Sequence, residues 1–209
     1  MSTKIKICGL TRPEDAESAV KLGVDLLGFV FAKSSRRVTP EQVVKISRNL
    51  AEKVLRVGVF VNAPLNEIRD IAAFCRLDLL QLHGSEDEDY CAALSDFNLL
   101  KVFRLGRPHT VVKPSTGNFW AVLLDTWLPD QAGGGGRAFD WRLAEAFAGA
   151  KFFLAGGLDA NNVQAAIRQT RPFGVDVSSG VEASPGIKDW VKMENFIKAV
   201  REAENRISS

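Results

Sequence analysis

Eight short apolar runs, rich in Val, Ile, Leu and Phe, recur along this chain of 209 residues. They begin at Lys4, Leu26, Arg56, Leu79, Leu99, Ala121, Lys151 and Val175. Continuous apolar runs of this kind are typical of strands that are buried on both faces, as in parallel sheets. Their starts lie 20 to 30 residues apart, which is room for one strand, one crossover helix and two short loops. The pattern therefore predicts eight strand–helix units.

Signals for helix starts lie between the apolar runs. In residues 11–14, 39–42 and 85–88, a hydroxyl residue is followed three positions later by Glu or Gln, which is the pattern of a capping box. Proline also follows Thr39 at the first helical position, where its missing N–H costs nothing. We further expect Asp159 to open the seventh helix and Ile187 to Ala203 to form a final amphipathic helix. Residues 108–114 have the weakest helix signal.

Eight units in a chain of this length predict an α/β fold, a single compact (β/α)8 TIM barrel formed by one domain over residues 1–209. No linker or change of composition divides the chain, and one hydrophobic core can still grow to this size. The rival architecture is an open, doubly wound sheet, which would carry a glycine-rich nucleotide loop after its first strand. The residues there are Cys8-Gly9-Leu10-Thr11, which favours the barrel.

Charge and side-chain counts exclude several classes of function. Lys and Arg number 27 against 25 Asp and Glu, a formal charge of +2, so there is no electrostatic case for nucleic acid or an anionic membrane as partner. Two histidines, His83 and His109, and three cysteines without a two-residue spacing argue against a metal site. The N-terminus lacks a secretory apolar core. We expect a cytoplasmic protein with reduced thiols, either a monomer or a homodimer.

In a barrel of this type, chemistry takes place where the strands end and the loops to the following helices begin. The last two of these loops carry small residues. They are Gly156 and Gly157 after the seventh strand, and Ser178, Ser179 and Gly180 after the eighth. Backbone N–H groups in such loops can approach an anion closely, and barrels often bind phosphate at this corner. A tight turn explains either loop alone, but the two together favour a phosphate site.

Cys8 and Asp125 are the candidates for proton transfer. Cys8 closes the first strand, where its thiol becomes a usable base if nearby cations favour the thiolate. The alternative role of Cys8 is that of a small buried hydrophobe. Asp125 ends the sixth strand after an apolar run, and partial desolvation there favours the protonated form that a general acid needs. Its alternative roles are a helix cap or a salt-bridged carboxylate at the rim.

Three further side chains are candidates for contacts with a substrate. Arg36 lies in a basic loop after the second strand, where its guanidinium could hold a carboxylate with two hydrogen bonds, although such a loop is usually a solvated turn. His83 ends the fourth strand, and there a hydrogen bond at the rim is favoured over catalysis. Asp176, inside the eighth strand, either hydrogen-bonds across the barrel interior or touches hydroxyl groups of a substrate.

A set of motifs over essentially the whole chain resembles the phosphoribosylanthranilate isomerase family. The motifs are KICGLT at 6–11, GFVF at 28–31 with SR at 35–36, VGVFVN at 57–62, QLHG at 81–84, LDT at 124–126, FDW at 139–141, GGL at 156–158 and VDVSSGVE at 175–182. The first and the last, found together, are highly specific. One segment departs from the family pattern, because GGGGR between Gly133 and Arg137 stands where members commonly have GGTGK.

The resemblance implies an Amadori rearrangement without a cofactor, in tryptophan synthesis. It converts a small-molecule phosphosugar, N-(5-phosphoribosyl)anthranilate, into 1-(2-carboxyphenylamino)-1-deoxyribulose 5-phosphate. By the same resemblance Asp125 is the general acid, Cys8 is the general base and Arg36 binds the anthranilate carboxylate. The glycine and serine loops match the phosphate site. The loop between Gly133 and Arg137 loses a hydroxyl donor, so its contacts with the substrate are in doubt.

Three other functions remain as alternatives. A pentose-phosphate epimerase would have metal-binding histidines at several strand ends, and only His83 is available. An indole-glycerol-phosphate synthase would have catalytic Lys and Glu at strand ends, whereas the first strand ends in Cys8. A non-catalytic sensor of phosphorylated ligands would keep the two small-residue loops, but it would need neither Cys8 nor Asp125.

Overall fold

The computed structural model describes residues 2–50, 53–105, 119–126 and 141–207. Its centre is a closed barrel of eight parallel strands in chain order, in which the last strand pairs with the first. The strands are β1 (Lys4–Cys8), β2 (Leu26–Val30), β3 (Leu55–Phe60), β4 (Leu79–Leu82), β5 (Leu99–Leu105), β6 (Ala121–Thr126), β7 (Phe152–Leu154) and β8 (Gly174–Val177). This architecture confirms the predicted (β/α)8 fold, and each strand lies on one of the eight apolar runs.

Helices between the strands cover the outside of the barrel. They are α1 (Pro13–Lys21), α2 (Pro40–Ser47), α3 (Leu65–Cys75), α4 (Glu88–Ala92), α5 (Val163–Thr170) and α6 (Trp190–Ile207). Two 3₁₀ helices, Trp141–Phe147 and Ser179–Val181, and a short antiparallel pair, β9 (Glu182–Ser184) and β10 (Ile187–Lys188), complete the described elements. None of the helices in the described ranges has the length and apolar character that a bilayer span requires.

The capping box at Thr39 is confirmed. The Thr39 hydroxyl accepts a hydrogen bond from the Gln42 amide, and the Gln42 side chain accepts one from the Thr39 amide. The box predicted at Thr11 is wrong, because α1 has Arg12 at its N-cap position with no side-chain cap. The Thr11 hydroxyl instead donates to the Gly186 carbonyl in the turn between β9 and β10.

Three other predicted element starts are displaced. α4 begins at Glu88 and is capped by Asp87, so the box predicted at 85–88 is wrong. Asp159 accepts hydrogen bonds from the amides of the two residues before α5, and the helix itself begins at Val163. Ile187 lies in β10, and the last helix begins at Trp190. The segment 108–114 lies outside the described residues.

Alternation along the strands separates two apolar regions. Side chains that point outward, such as Ile5 and Ile7 of β1, pack in the main core between barrel and helices. Side chains that point inward form a second cluster, made of Leu26, Val57, Leu79, Leu100, Val102, Ala121, Leu123, Phe153 and Ala155. This inner cluster fills the barrel interior, so the inward positions nearer the carboxyl ends of the strands line its mouth.

Candidate active site

The inward positions at the carboxyl ends of several strands carry polar side chains. Register partners in neighbouring parallel strands point to the same face, and Lys6 is the partner both of inward-facing Leu26 and of Asp176. The same alternation turns six more side chains inward, namely Cys8, Gln81, His83, Asp125, Asp176 and Ser178. The barrel thus brings both predicted proton-transfer residues to one mouth.

Cys8 is buried at the end of β1, with only 8% of its surface exposed. Burial raises the pKa of the Cys8 thiol, while the ammonium groups of Lys6 and Lys188 act in the opposite direction. The cations that the sequence argument required are therefore present, although burial has the larger effect on the free protein. Lys188 itself is buried in β10, where desolvation lowers its pKa against the attraction of Glu182.

Asp125 belongs to a chain of three inward-facing side chains. One carboxylate oxygen, Oδ2, lies 3.2 Å from His83 Nε2. The other ring nitrogen of His83, Nδ1, lies 3.1 Å from Gln81 Nε2. An amide nitrogen only donates, so Nδ1 accepts and the proton of a neutral imidazole sits on Nε2, from where it is donated to Asp125. The rim hydrogen bond favoured for His83 is thus made with the predicted acid.

Arg36 binds a carboxylate with two hydrogen bonds, but the carboxylate belongs to the chain itself. Nε and Nη2 of Arg36 lie 2.8 and 2.7 Å from the two oxygens of Glu182. Lys188 Nζ also lies 2.9 Å from Glu182 Oε1. Burial would raise the pKa of Glu182, but the two cations, Arg36 and Lys188, outweigh burial and lower it. Among the described residues no acceptor contacts Nη1, so the edge formed by Nη1 and Nη2 is available to a second anion.

The Arg36 side chain passes directly beside Cys8 and β8. A β-carbon built at Gly9, the residue after Cys8, would lie 2.5 Å from Arg36 Cδ and 3.2 Å from Ser178 Oγ. The Ser178 hydroxyl donates to the carbonyl oxygen of Cys8 at 3.1 Å. Arg36, Cys8 and Ser178 therefore form one side of the mouth.

The two loops predicted to bind phosphate lie against each other. Gly156 and Gly157 have φ values of +88° and +64°, a backbone conformation that side chains disfavour. A β-carbon at Gly180 would lie 2.0 Å from the Leu158 carbonyl oxygen, so only glycine allows this approach. Within the described part of the chain, the amides of Gly156 and Gly157 have no hydrogen-bond acceptor. Together with neighbouring Ser179, these loops form a cradle of small residues.

Asp176 makes the interior contact that the sequence left open. Its Oδ1 lies 2.9 Å from Lys6 Nζ, and both side chains are buried. Asp176 also interacts electrostatically with Asp125 and His83, and it acts on Cys8 as well, so its charge bears on both the side chain predicted as acid and the one predicted as base.

Sequence reasoning missed four buried polar residues around the mouth: Lys6, Gln81, Glu182 and Lys188. For Lys6 and Gln81 a signal existed, since each stands two residues before a candidate in an otherwise apolar strand. Glu182 was visible only as part of a motif, because its partner Arg36 lies 146 positions away. The loop between Gly133 and Arg137 lies outside the described residues, as does His109.

Comparison with known proteins agrees with this geometry. A family model described as N-(5'phosphoribosyl)anthranilate (PRA) isomerase matches residues 5–199. The chain belongs to this isomerase family. The N-(5'-phosphoribosyl)anthranilate isomerase of Pelobacter propionicus is 47% identical over 205 residues, which span 97% of this chain and 97% of the relative.

Two crystal structures of phosphoribosyl anthranilate isomerases support the same assignment. The enzyme from Thermotoga maritima has a TM-score of 0.88 and 40% sequence identity, and the match covers 96% of this chain and 99% of that chain. A structure in complex with reduced 1-(o-carboxyphenylamino)-1-deoxyribulose 5-phosphate has a TM-score of 0.83 and 38% identity, with the same coverage. The predicted family and enzyme class are thereby confirmed.

Proposed function

We propose that this isomerase converts N-(5'-phosphoribosyl)anthranilate into the corresponding aminodeoxyribulose phosphate, with Asp125 as general acid and Cys8 as general base. The observation that carries the residue assignment is their common placement. Both side chains occupy inward positions at the carboxyl ends of strands in one closed barrel. An acid and a base that act on neighbouring atoms of one sugar must face the same small volume.

The acid step opens the ribose ring. Asp125 gives a proton to the ring oxygen, the bond from that oxygen to C1 breaks, and the nitrogen lone pair forms an iminium with C1. Asp125 is then a carboxylate, and the Nε2–H of His83 is placed to donate to it at 3.2 Å. The Gln81 amide, itself buried, holds the ring of His83 in this orientation. His83 and Gln81 are thus positioning residues for the acid.

The base step moves the double bond. The Cys8 thiolate takes the proton from C2, the electrons of the broken bond form a C1–C2 double bond, and the iminium electron pair returns to nitrogen. The resulting enolamine becomes the ketone when C1 gains a proton and the C2 hydroxyl loses one. Substrate and product are isomers: the proton that Asp125 gives and the one that Cys8 takes are balanced by the proton lost from the C2 hydroxyl and the one gained at C1, and the electron pairs move only within the substrate. The proposal therefore needs no cofactor.

Two anchors fix the ends of the substrate. The cradle of Gly156, Gly157 and Ser178 to Gly180 suits the phosphate, because the amides of Gly156 and Gly157, which have no acceptor within the described ranges, can approach its oxygens closely. The free edge of Arg36 suits the anthranilate carboxylate, because Glu182 occupies only the Nε–Nη2 edge. In this proposal Asp176 contacts the sugar hydroxyls only through the oxygen that Lys6 does not hold. Anchoring at both ends places C1 and C2 between the acid and the base.

The proposal extends to the form of the working protein. We take residues 1–209 as one catalytic domain, which acts on a small molecule as a monomer or a homodimer. The three cysteines are buried free thiols in the described structure, which suits the reducing cytoplasm. Sedimentation of the purified chain distinguishes monomer from dimer.

Single substitutions of the acid and the base test the assignment. Cys8→Ala and Asp125→Asn should each lower kcat by about 10²–10⁴-fold with a smaller effect on KM, as for lost acid–base groups. The measurement is loss of substrate fluorescence in the purified protein, with and without a chelator. Cys75→Ala, which removes a buried thiol between α2 and α3, and Asp96→Asn at an exposed ion pair are the matched controls. Near-normal kcat in either test variant, or turnover abolished by the chelator, would refute the proposal.

A further inference from the structure

Lys6 is a charged side chain inside the barrel with no part of its surface exposed. It stands in β1 two residues before Cys8, and its ammonium is held 2.9 Å from Asp176 in β8. Burying an ion pair costs desolvation energy that hydrophobic side chains of similar size would avoid. A pair kept at such a position therefore calls for a role beyond holding two strands together.

The ammonium of Lys6 and the thiol of Cys8 both border the space beside Gly28, where a side chain would otherwise lie. A β-carbon built at Gly28, the register partner of Cys8 in β2, would lie 2.8 Å from Cys8 Sγ and 3.0 Å from Lys6 Nζ. Glycine at this position leaves no side chain between the two groups. The Lys6 ammonium is therefore close enough to the Cys8 thiol to favour the thiolate electrostatically.

We propose that Lys6 is a positioning residue for the isomerisation, whose buried ammonium, fixed by Asp176, orients Cys8 and stabilises its thiolate so that the thiolate can take the C2 proton. The inference rests on the proposed role of Cys8 as the base. In this arrangement Asp176 holds the Lys6 ammonium in place through their ion pair. Burial alone lowers the pKa of Lys6, but Asp176 and Cys8 outweigh that effect and raise it, so the lysine stays charged inside the barrel.

Four charged groups face the Cys8 sulfur, and they differ in direction and in burial. Lys188 from β10 and Arg36 from the loop after β2 are both engaged with Glu182. Asp176 acts against the thiolate. Lys6 is the cation with the largest influence on Cys8 among them, because its ammonium and the Cys8 sulfur lie beside the same glycine, Gly28. Removing Lys6 should therefore change the titration of the thiol more than removing any one of the others.

The test replaces the whole ion pair, because a lone buried charge would destabilise the barrel. One variant, Lys6→Gln with Asp176→Asn, keeps a neutral hydrogen bond across β1 and β8. A second, Lys6→Met with Asp176→Leu, is apolar. Both are made in a Cys75→Ala, Cys91→Ala background, so that Cys8 is the only thiol. Thiolate absorbance in the ultraviolet, followed against pH, then reports Cys8 directly.

We expect the midpoint of the Cys8 titration to rise by less than about one pH unit in either folded variant, because the effect of Lys6 on the thiolate exceeds the opposing effect of Asp176 that is removed with it. The acid limb of the kcat/KM profile should move by the same amount. The matched control is Lys101→Gln with Glu86→Gln, a second buried lysine–carboxylate pair, on β5 and the loop before α4. This control should leave the Cys8 midpoint where it is in the background protein.

The possible results separate the inference from the function it rests on. A Cys8 midpoint unchanged in a folded variant would overturn the role of Lys6, even if Cys8→Ala remains inactive. A midpoint that rises without any movement of the kcat/KM profile would overturn both the role of Lys6 in the reaction and that of Cys8 as base. If the ion pair is purely structural, replacing it would change the free energy of unfolding and leave the Cys8 titration unchanged.

Discussion

The two ends of the barrel interior differ sharply in chemistry. The inner cluster nearer the amino ends of the strands is apolar, and its members Leu26, Leu100 and Phe153 are at most 1% exposed. The inward positions nearer the carboxyl ends carry polar groups such as Asp176, and the Lys6 ammonium extends to Asp176 from the middle of β1. These two side chains are almost as deeply buried but charged. Both ends are built from the same strands, separated by one or two inward positions.

The contrast shows how one fold separates stability from chemistry. Apolar side chains at the lower end gain free energy by leaving water, and nothing there needs to move a proton. Charged side chains at the mouth cost desolvation, which their mutual pairing only partly offsets. The upper end is therefore expected to contribute little to folding and much to catalysis, and the lower end the reverse.

The largest expected effect comes from the lower end. Phe153 is fully buried and packs on Trp120 and Phe173. Phe153→Ala should lower the free energy of unfolding by about 3–5 kcal/mol, because it removes buried apolar surface and leaves a cavity. Denaturant unfolding measures this loss, and kcat per folded molecule should stay near the unsubstituted value.

Phe74 provides the control for Phe153. It lies in α3 with 57% of its surface exposed, so Phe74→Ala should change the free energy of unfolding by less than about 0.5 kcal/mol. A Phe153→Ala protein that keeps full stability, or that folds but loses kcat by orders of magnitude, would contradict the division between the two ends.

A smaller effect is expected from the anchor at the mouth. Arg36→Ala should weaken binding of a carboxylated product analogue by about 10- to 100-fold, the value of a charge-assisted double hydrogen bond. Titration calorimetry measures the Kd. Arg37→Ala is the matched control, since Arg37 carries the same charge on an exposed side chain next to Arg36. An Arg36→Ala protein with an unchanged Kd would reject the carboxylate clamp.

The strands could be predicted from the sequence because a strand buried on both faces leaves a local signature. Every predicted run coincides with an observed strand. Helix starts were predicted less accurately, because the side chain of a predicted cap can hydrogen-bond to a residue that is distant in the sequence. The Thr11 hydroxyl donates to Gly186 of the hairpin, and the Ser85 hydroxyl, expected in a box with Glu88, donates to the side chain of Asn62. Neither competitor is visible within a short window of sequence.

The candidate site also divides into residues with a local sequence signal and residues without one. Cys8 and Asp125 could be proposed because barrels place chemistry at strand ends and the motifs matched a family. The groups around them depend on pairing across the barrel, as Lys6 with Asp176 lies 170 positions apart and Arg36 with Glu182 lies 146 apart. Alternation along β1 indicates which side Lys6 faces, but only the closed sheet shows that Asp176 meets it there. Such pairs are properties of the barrel closure and have no local signal.

The smallest effect belongs to the outer layer, away from both ends of the barrel interior. Thr39→Ala removes the hydroxyl that caps α2 and should lower the free energy of unfolding by about 1 kcal/mol, with kcat and KM unchanged. Thr39→Ser keeps the oxygen and should restore most of that loss, which denaturant unfolding of the two variants compares. A loss of activity in Thr39→Ala at full stability would mean that the helix layer shapes the mouth directly. Stability and catalysis would then not be separated between the two ends of the barrel interior, because the surrounding helices would contribute to catalysis as well.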